Sequence, residues 1–395
     1  MKKILAVLSL SLFVGLALAQ DAPEGFKFTS INDIKVTPVK DQQSTGTCWS
    51  YATTSFIEAE LLRMGKPEVD LSEMYFARHA YANKAKRYVR FQGANNFGQG
   101  GQAHDVLNVI NEHGMVTEES FSGKNYGSEQ HIHSELEAIL KSTLEAVVKN
   151  PNRKLSTAWY PAVNGILDSY FGVAPEKFNA LGASITPKEF VQKSGFNTGD
   201  YIELTSYSHH PFYSQFVLEI PDNWSHAQYY NLPIDELMQV MEHALNNGYT
   251  VCWDGDVSEK GFKHNKGVAI MPASKVEEMA DSEKSKWTEL TVEERAKQMY
   301  SFTNPVPEIA VTQEMRQETF DNYLSTDDHL MHLTGMAKDQ NGTKYFKTKN
   351  SWGTEDHIYD GYLYMSDSYV RLKTIAILIH KDALPKGIAK KLGIK

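Results

Sequence analysis

Three residue types able to do chemistry together stand at Cys48, His329 and Asn350, in a 395-residue chain whose only other cysteine is Cys252. A thiolate can attack a carbonyl carbon, an imidazolium can stabilise that thiolate and later protonate a leaving amine, and a side-chain amide can fix the ring's orientation and tautomer. Together they make a thiol acyl-transfer site, provided that the fold joins segments far apart in the chain.

Cys48 comes first. In "VKDQQSTGTCWSYATTSFIEAELLRMGK" the apolar residues Trp49, Ala52, Phe56 and Ala59 recur at three- and four-residue spacing, with Ile57 and Leu61 beside them and Gly65 as a stop. The spacing predicts a helix that starts at Cys48. A thiol there meets the positive end of the peptide dipoles and unpaired backbone N–H groups, which favour thiolate. A small buried hydrophobe is an equally consistent reading of Cys48 taken alone.

The other two residues lie in "TDDHLMHLTGMAKDQNGTKYFKTKNSWGTEDHIYDGYLYM", where Asn341-Gly342 between two alternating runs predicts a hairpin. With a loop of Asp339 to Gly342, Asn350 falls opposite Met331, which shares a face with His329. His329 and Asn350 are then diagonal neighbours, about 7–8 Å apart at the backbone, a gap long side chains can close. Trp352 lies on the same face and can shield their hydrogen bond from water, whereas His332 points the other way. That alternation also weakens a metal reading of His329 with His332, Asp327 and Asp328. The pairs His131/His133 and His209/His210 lack a third ligand at recognisable spacing, so no metal site is expected.

The elements around these segments divide the chain. Helices are expected from Leu71 to near Lys86, from Ala103 to His113, and in "GSEQHIHSELEAILKSTLEAVVKN". After about Gly199 short β-branched and aromatic runs dominate, interrupted by helical "PIDELMQVMEHALNNG" and by a charged stretch in which Thr291 and Glu294 form a capping box. The result is an α+β protein with a helical lobe at about 40–198, a sheet-rich lobe at about 199–381 and a short tail at 382–395. Cys252, in an apolar run, reads as a core residue of the sheet, and a Cys48–Cys252 bridge would abolish nucleophilicity.

Hydrophobic residues make up 41% of the chain, enough for a large buried core, and the formal charge of -9 offers no basic field for phosphates, which argues against a nucleic-acid partner. At the N-terminus Lys2 and Lys3 precede an apolar run from Ile4 to Leu18, with Ala17 and Ala19 spaced as an A-x-A cleavage site. Residues 1–19 read as a secretory signal peptide, so the mature chain is expected to be exported, periplasmic or extracellular, with no membrane segment after cleavage.

"QQSTGTCWS", "DDHLMH" and "KNSWG" resemble, in order, the three blocks of the papain-like cysteine peptidases. Within that superfamily "LSEMYF", "GQGGQAHDVLNVINEHGMV", "ITPKEF", "DYIELTSYSHHPFYSQF" and "LPIDELMQVMEHALNNGYTVCWDGDV" resemble the group of bleomycin hydrolase and bacterial aminopeptidase C. The resemblance implies a two-lobed fold with the thiol and the imidazole facing each other across a cleft. It implies Gln42, six positions before Cys48, as a side-chain donor to the oxyanion; a tetrahedral intermediate needs donors aimed at its developing charge. It also implies that Gly100 and Gly101 line the cleft, the Gly101 backbone pairing with substrate, though a simple turn is the plainer reading of the two glycines. No cofactor is implied, peptides are the implied partners, and a homo-oligomer is left open.

Two features depart from that group. Its members are typically cytosolic, and in its aminopeptidases a C-terminal arm lies in the cleft with its carboxylate facing the substrate's α-ammonium. Here residues 382–395 are short and carry Lys386, Lys390, Lys391 and Lys395, so the arm is expected to fall short. An endopeptidase with an open cleft therefore stands beside an aminopeptidase, which is put first because the resemblance runs through the connectors. A catalytically idle peptide-binding protein and a transglutaminase-like acyl transferase are the other classes; the first would not need all four catalytic residue types, and the second would lack the "NSWG" block. A peptidyl electrophile should alkylate Cys48 selectively, as read by peptide mass spectrometry; labelling chiefly at Cys252 would overturn the assignment.

Overall fold

In a computed structural model describing residues 25–152, 154–273, 275, 279, 284 and 287–395, the helix expected after Thr47 begins at Cys48 and runs to Arg63 (α1). The signal-peptide reading of residues 1–19 lies outside the described residues. Helices α2 (Glu73–Arg90), α3 (Ala103–His113), α4 (Ser134–Val148), α5 (Trp159–Phe171) and α6 (Pro187–Ser194) complete the first lobe, together with the small hairpin β2 (Phe178–Ala180) and β3 (Ala183–Ile185). No helix of the described residues is long and apolar enough to cross a membrane.

The second half contributes β4 (Tyr201–Thr205), β5 (Gln215–Val217), β6 (Gln228–Asn231), α7 (Ile234–Asn246), β7 (Val251–Gly255), β8 (Phe262–Lys263) and β9 (Val268–Ala269). It continues with β10 (His329–Lys338), β11 (Lys344–Lys349), β12 (Tyr362–Ser366) and β13 (Thr374–His380). One sheet joins them in the order β5-β6-β4-β13-β7-β10-β11-β12-β9-β8. An additional strand, β1 (Thr29–Asp33), pairs antiparallel with β10 at Thr29↔Lys338. The sheet thus draws one strand from ahead of the helical lobe, which a split near residue 199 does not capture.

Apolar spacing suggested a single buried stripe on α1, yet every residue from Cys48 to Leu61 is buried. The helix lies between two layers. One core cluster joins Trp49, Phe56 and Ile57 of α1 to α2, α3 and the sheet residues Cys252, Leu330 and Leu378. A second cluster packs Leu237, Met241 and Leu245 of α7 beside Val251, Trp253, Met331 and Leu333 of the sheet. Cys252 is a core residue, 1% exposed, with Sγ 3.6 Å from Thr53 Oγ1, and both cysteines are free thiols.

Burying α1 on all sides forces its polar residues to find partners. Ser55 Oγ lies 2.9 Å from His332 Nδ1 and accepts from Lys349 Nζ at 2.7 Å, and the same ammonium donates to the Thr37 carbonyl at 2.8 Å. Thr37 Oγ1 donates to Glu58 Oε2 at 2.5 Å, Leu71 N donates to Glu58 Oε1 at 2.8 Å, and Lys40 Nζ meets Glu73 Oε1 at 2.7 Å. Burial pushes Lys349 down to about 8 and Glu73 up to about 8, which marks how far these groups are withdrawn from bulk solvent.

Residues 386–392 form a short helix whose Ile388 and Leu392 join the α7 cluster, and Lys391 Nζ pairs with Glu236 at 2.5 Å. The tail therefore folds onto α7. Lys349→Met should lower stability by about 3 kcal/mol, the scale for removing one partner from a buried ionic cluster, and a urea unfolding midpoint equal to that of the parent would contradict this.

Candidate active site

Cys48 is the first residue of α1, with Thr47 as a cap whose side chain makes no capping bond and with no acidic residue in the first turn. The dipole end is therefore left free to act on the thiol. The loop before it is anchored by Gln99: Gly46 N donates to Gln99 Oε1 at 2.7 Å, and Trp49 Nε1 donates to the Gln99 carbonyl at 2.9 Å. A Cβ on Gly46 would lie 2.9 Å from Gln99 Cβ, which is why glycine stands there.

His329 opens β10, 4% exposed, and its Nε2 lies 2.7 Å from Asn350 Oδ1. The expected register is reached by an unexpected route. Pairing ends at Lys338↔Lys344, so the loop is Asp339 to Thr343, one residue longer than predicted. A bulge between Leu333 and Gly335 shifts the pairing back, and beyond it His332 faces Lys349. Asn350 then follows level with Met331, diagonal to His329, and His332 is turned to α1.

The tautomers follow from the partners. Asn350 Oδ1 accepts from Ser351 N at 2.7 Å, and Asn350 Nδ2 donates to His264 Nδ1 at 3.1 Å. The amide is fixed with its oxygen toward His329, so Nε2 carries a proton and Nδ1 is the ring nitrogen that Asn350 leaves unengaged. Burial pushes His264 down to about 4, which suits its role as acceptor. The Trp352 ring, 38% exposed, lies 4.7 Å from the His329 ring and 4.8 Å from His264, shielding the bond as expected.

Gln42 is brought to the same place by a crossing of the chain. Asp41 bridges to Trp352, and Gln42 N donates to the Ser351 carbonyl at 2.8 Å. Ser351 Oγ donates to Gln42 Oε1 at 2.7 Å, and Gln42 Nε2 donates to the Thr45 carbonyl at 2.7 Å with its second hydrogen unspent. Ser351 and His264 were missed by sequence reasoning. Ser351 sits inside a block already singled out, while His264 carried no local signal.

Gly100 and Gly101 have neighbours of their own. A Cβ on Gly100 would lie 1.8 Å from Asp222 Oδ2, and one on Gly101 would lie 2.8 Å from Asp105 Oδ2 and 3.0 Å from the Trp49 ring. Lys84 grips the carbonyls of Gly98, at 3.1 Å, and Gly100. Elsewhere, His209 and His210 acquire the third ligand-type neighbour they lacked in sequence, Glu219, at 3.1 and 2.9 Å. All three are exposed to some degree, and the two rings stack on Phe320 and Phe216. They lie outside the cluster of Cys48, His329 and Asn350.

Burial pushes the Cys48 thiol up to about 12, opposed by a backbone hydrogen bond at Leu330 and reinforced by Asp222, Asp254 and Asp327. Burial holds His329 down to about 4, against the raising effect of its bond to Asn350. Burial therefore holds each of the two groups neutral at rest. Since the Asn350 bond raises His329, Asn350→Ala should lower the imidazolium pKa further. With both groups neutral at rest, the acid limb of the kcat/KM profile reports the imidazolium and should move to lower pH; an acid limb unmoved or shifted upward would contradict this.

The papain family cysteine protease profile matches residues 22–201, and the peptidase C1-like family profile matches residues 174–299 and 295–394. Aminopeptidase C of Lactobacillus helveticus is 24% identical over 393 residues, covering 89% of this chain and 81% of its own. Human bleomycin hydrolase is 22% identical over 403 residues, covering 89% and 82%. A crystal structure of PepW from Lactobacillus rhamnosis HN001 superposes with a TM-score of 0.70 at 20% identity, over 92% of this chain and 84% of that one.

Proposed function

The chain belongs to the peptidase C1-like family of papain-like cysteine peptidases, and on that premise we propose that it is an exported aminopeptidase working through Cys48, His329 and Asn350. The observation that carries the assignment of roles is one hydrogen-bonded chain, Gln42–Ser351–Asn350–His329, that ties the oxyanion donor to the acid/base. Cys48 gives its proton to His329 Nδ1 and attacks the scissile carbonyl. The Cys48 backbone N–H and the second hydrogen of Gln42 Nε2 receive the oxyanion. His329 then protonates the leaving amine, and a water activated by the same ring releases the acyl group. Trp352 covers the His329–Asn350 bond beside the leaving-group side.

The exo mode rests on Asp222. Its carboxylate sits over Gly100, where an extended substrate would otherwise run its backbone past the glycine pair. Asn96 Nδ2 holds it there, donating to Asp222 Oδ1 at 3.1 Å and to the Pro221 carbonyl at 3.0 Å. Little room is left beyond the first residue of a substrate. Similarity to aminopeptidase C supports the same mode, and export rests on the N-terminal sequence alone.

Cys48→Ala should abolish hydrolysis of aminoacyl amides while leaving the unfolding midpoint near that of the parent. Gln42→Ala should lower kcat roughly 100-fold, the scale for one preorganised donor, with Gln43→Ala far milder. Equal losses at the two glutamines would remove the oxyanion role. Efficient cleavage of N-acylated peptides by the parent enzyme would replace the aminopeptidase with an endopeptidase.

A further inference from the structure

We propose that Asp254 and Asp327, with Asp222 closing over them, form the site that receives the α-ammonium group of the substrate's first residue. The inference rests on the aminopeptidase reading and says which groups enforce it.

The location comes from the sheet register. Asp327 lies two residues before His329, and Asp254 of β7 is paired with Leu330 of β10, whose backbone touches the Cys48 thiol. Gln102, directly after the glycine pair, donates from Nε2 to Asp327 Oδ1 at 3.0 Å. Two carboxyl groups therefore stand between the nucleophile, the base and the Gly100–Gly101 backbone. Asp222, over Gly100, faces them from the loop after β5.

The two carboxyl groups have few polar neighbours. Asp254 is 2% exposed, neither of its oxygens meets a well-aligned donor, Asp327 Oδ2 is buried in the same state, and the polar groups nearest to the pair are each other and the Gln102 amide. Buried acceptors left in this state cost free energy unless something fills them. No ion pair joins Asp222, Asp254 or Asp327 to a cation among the described residues. Lys84 lowers the pKa of Asp222, but its ammonium is bonded to the backbone carbonyls of Gly98 and Gly100. Burial raises all three acids, Asp327 up to about 7, and nearby carboxylates add to it: Asp105 at Asp222, Asp327 at Asp254 and Asp222 at Asp327. The missing partner is a compact cation with several donors.

A peptide α-ammonium meets that description: it carries three N–H donors, is mostly protonated at neutral pH, and sits one residue from the carbonyl that Cys48 attacks. Its arrival would also act on the nucleophile. After burial, the same three acids are the groups that raise the Cys48 thiol wherever they carry charge, so an ammonium paired with that charge offsets the effect and favours thiolate. Substrates with a free N-terminus would gain in both KM and kcat.

The test compares unblocked and N-acetylated aminoacyl amides of the same sequence, together with an N-acetylated peptide carrying lysine one residue further from the scissile bond. The enzymes are the parent, Asp327→Asn and Asp222→Asn, with Asp254→Asn as the buried variant and melting temperature as the check on folding. The expected result is that Asp327→Asn lowers the ratio of kcat/KM for unblocked over acetylated substrates about 100-fold, with part of the loss in KM, the scale for a desolvated charge pair. A parent that cleaves both equally well would remove the aminopeptidase reading itself. A parent that strongly prefers free N-termini, with that preference unchanged in Asp327→Asn and Asp222→Asn, would overturn this inference alone. A loss confined to the lysine-bearing acetylated peptide would reassign the acids to a basic side chain and overturn it as well.

Discussion

The contact between Ser55 on α1 and His332 on β10, closed by the Lys349 ammonium, fixes the helix that begins at Cys48 against the strand that begins at His329. Cys48 lies seven residues before Ser55 on the helix, and His329 lies three residues before His332 on the strand. At about 1.5 Å per helical residue and about 3.4 Å per strand residue, both arms measure roughly 10 Å. One buried polar junction thus holds two equal levers, and their free ends are the thiol and the imidazole. The junction is buried, so Ser55, His332 and Lys349 depend on one another across the helix–strand contact, and slippage of helix against strand would leave several polar groups unsatisfied at once.

A second constraint is the crossing of Lys40–Gln42 over Ser351–Gly353. It links the segment just before α1 to the segment just after β11, so Gln42 and the His329–Asn350 pair share a scaffold although they are some three hundred residues apart in sequence. Ser351 turns this proximity into orientation, since its hydroxyl fixes the Gln42 amide and its N–H fixes Asn350. His264 fixes the other end of that amide. The site is rigid because each side-chain amide in it has both of its ends assigned.

The electrostatics of the cleft are unusual in one respect. A thiol that must ionise is surrounded by carboxyl groups, while the favourable influences on it are the bare end of α1 and the Leu330 backbone. Acids in such a place oppose the nucleophile unless they serve a charged substrate group, and their arrangement around Gly100–Gln102 gives them access to one. Reactivity and specificity would then be coupled through the same field.

The sequence by itself determined the elements whose periodicity is local: the helix start at Cys48, the helices at 103–113 and 134–148, the capping box at Thr291 and Glu294, and the hairpin that turns at Asn341-Gly342. Strand alternation also determined that His329 and Asn350 share a face and that His332 does not. That result survived a loop one residue longer than expected because the bulge at Thr334 restored the register, a compensation invisible before pairing is known. Tertiary structure decided the rest. The full burial of α1, the addition of β1 to the sheet and the roles of Ser351 and His264 arise from contacts between segments with no spacing relation in the chain. The approach of Asp222 to Gly100 and of Asp327 to Gln102 has the same origin. Periodicity reports which face of an element avoids water; which partner covers that face is set only when the layers close on one another.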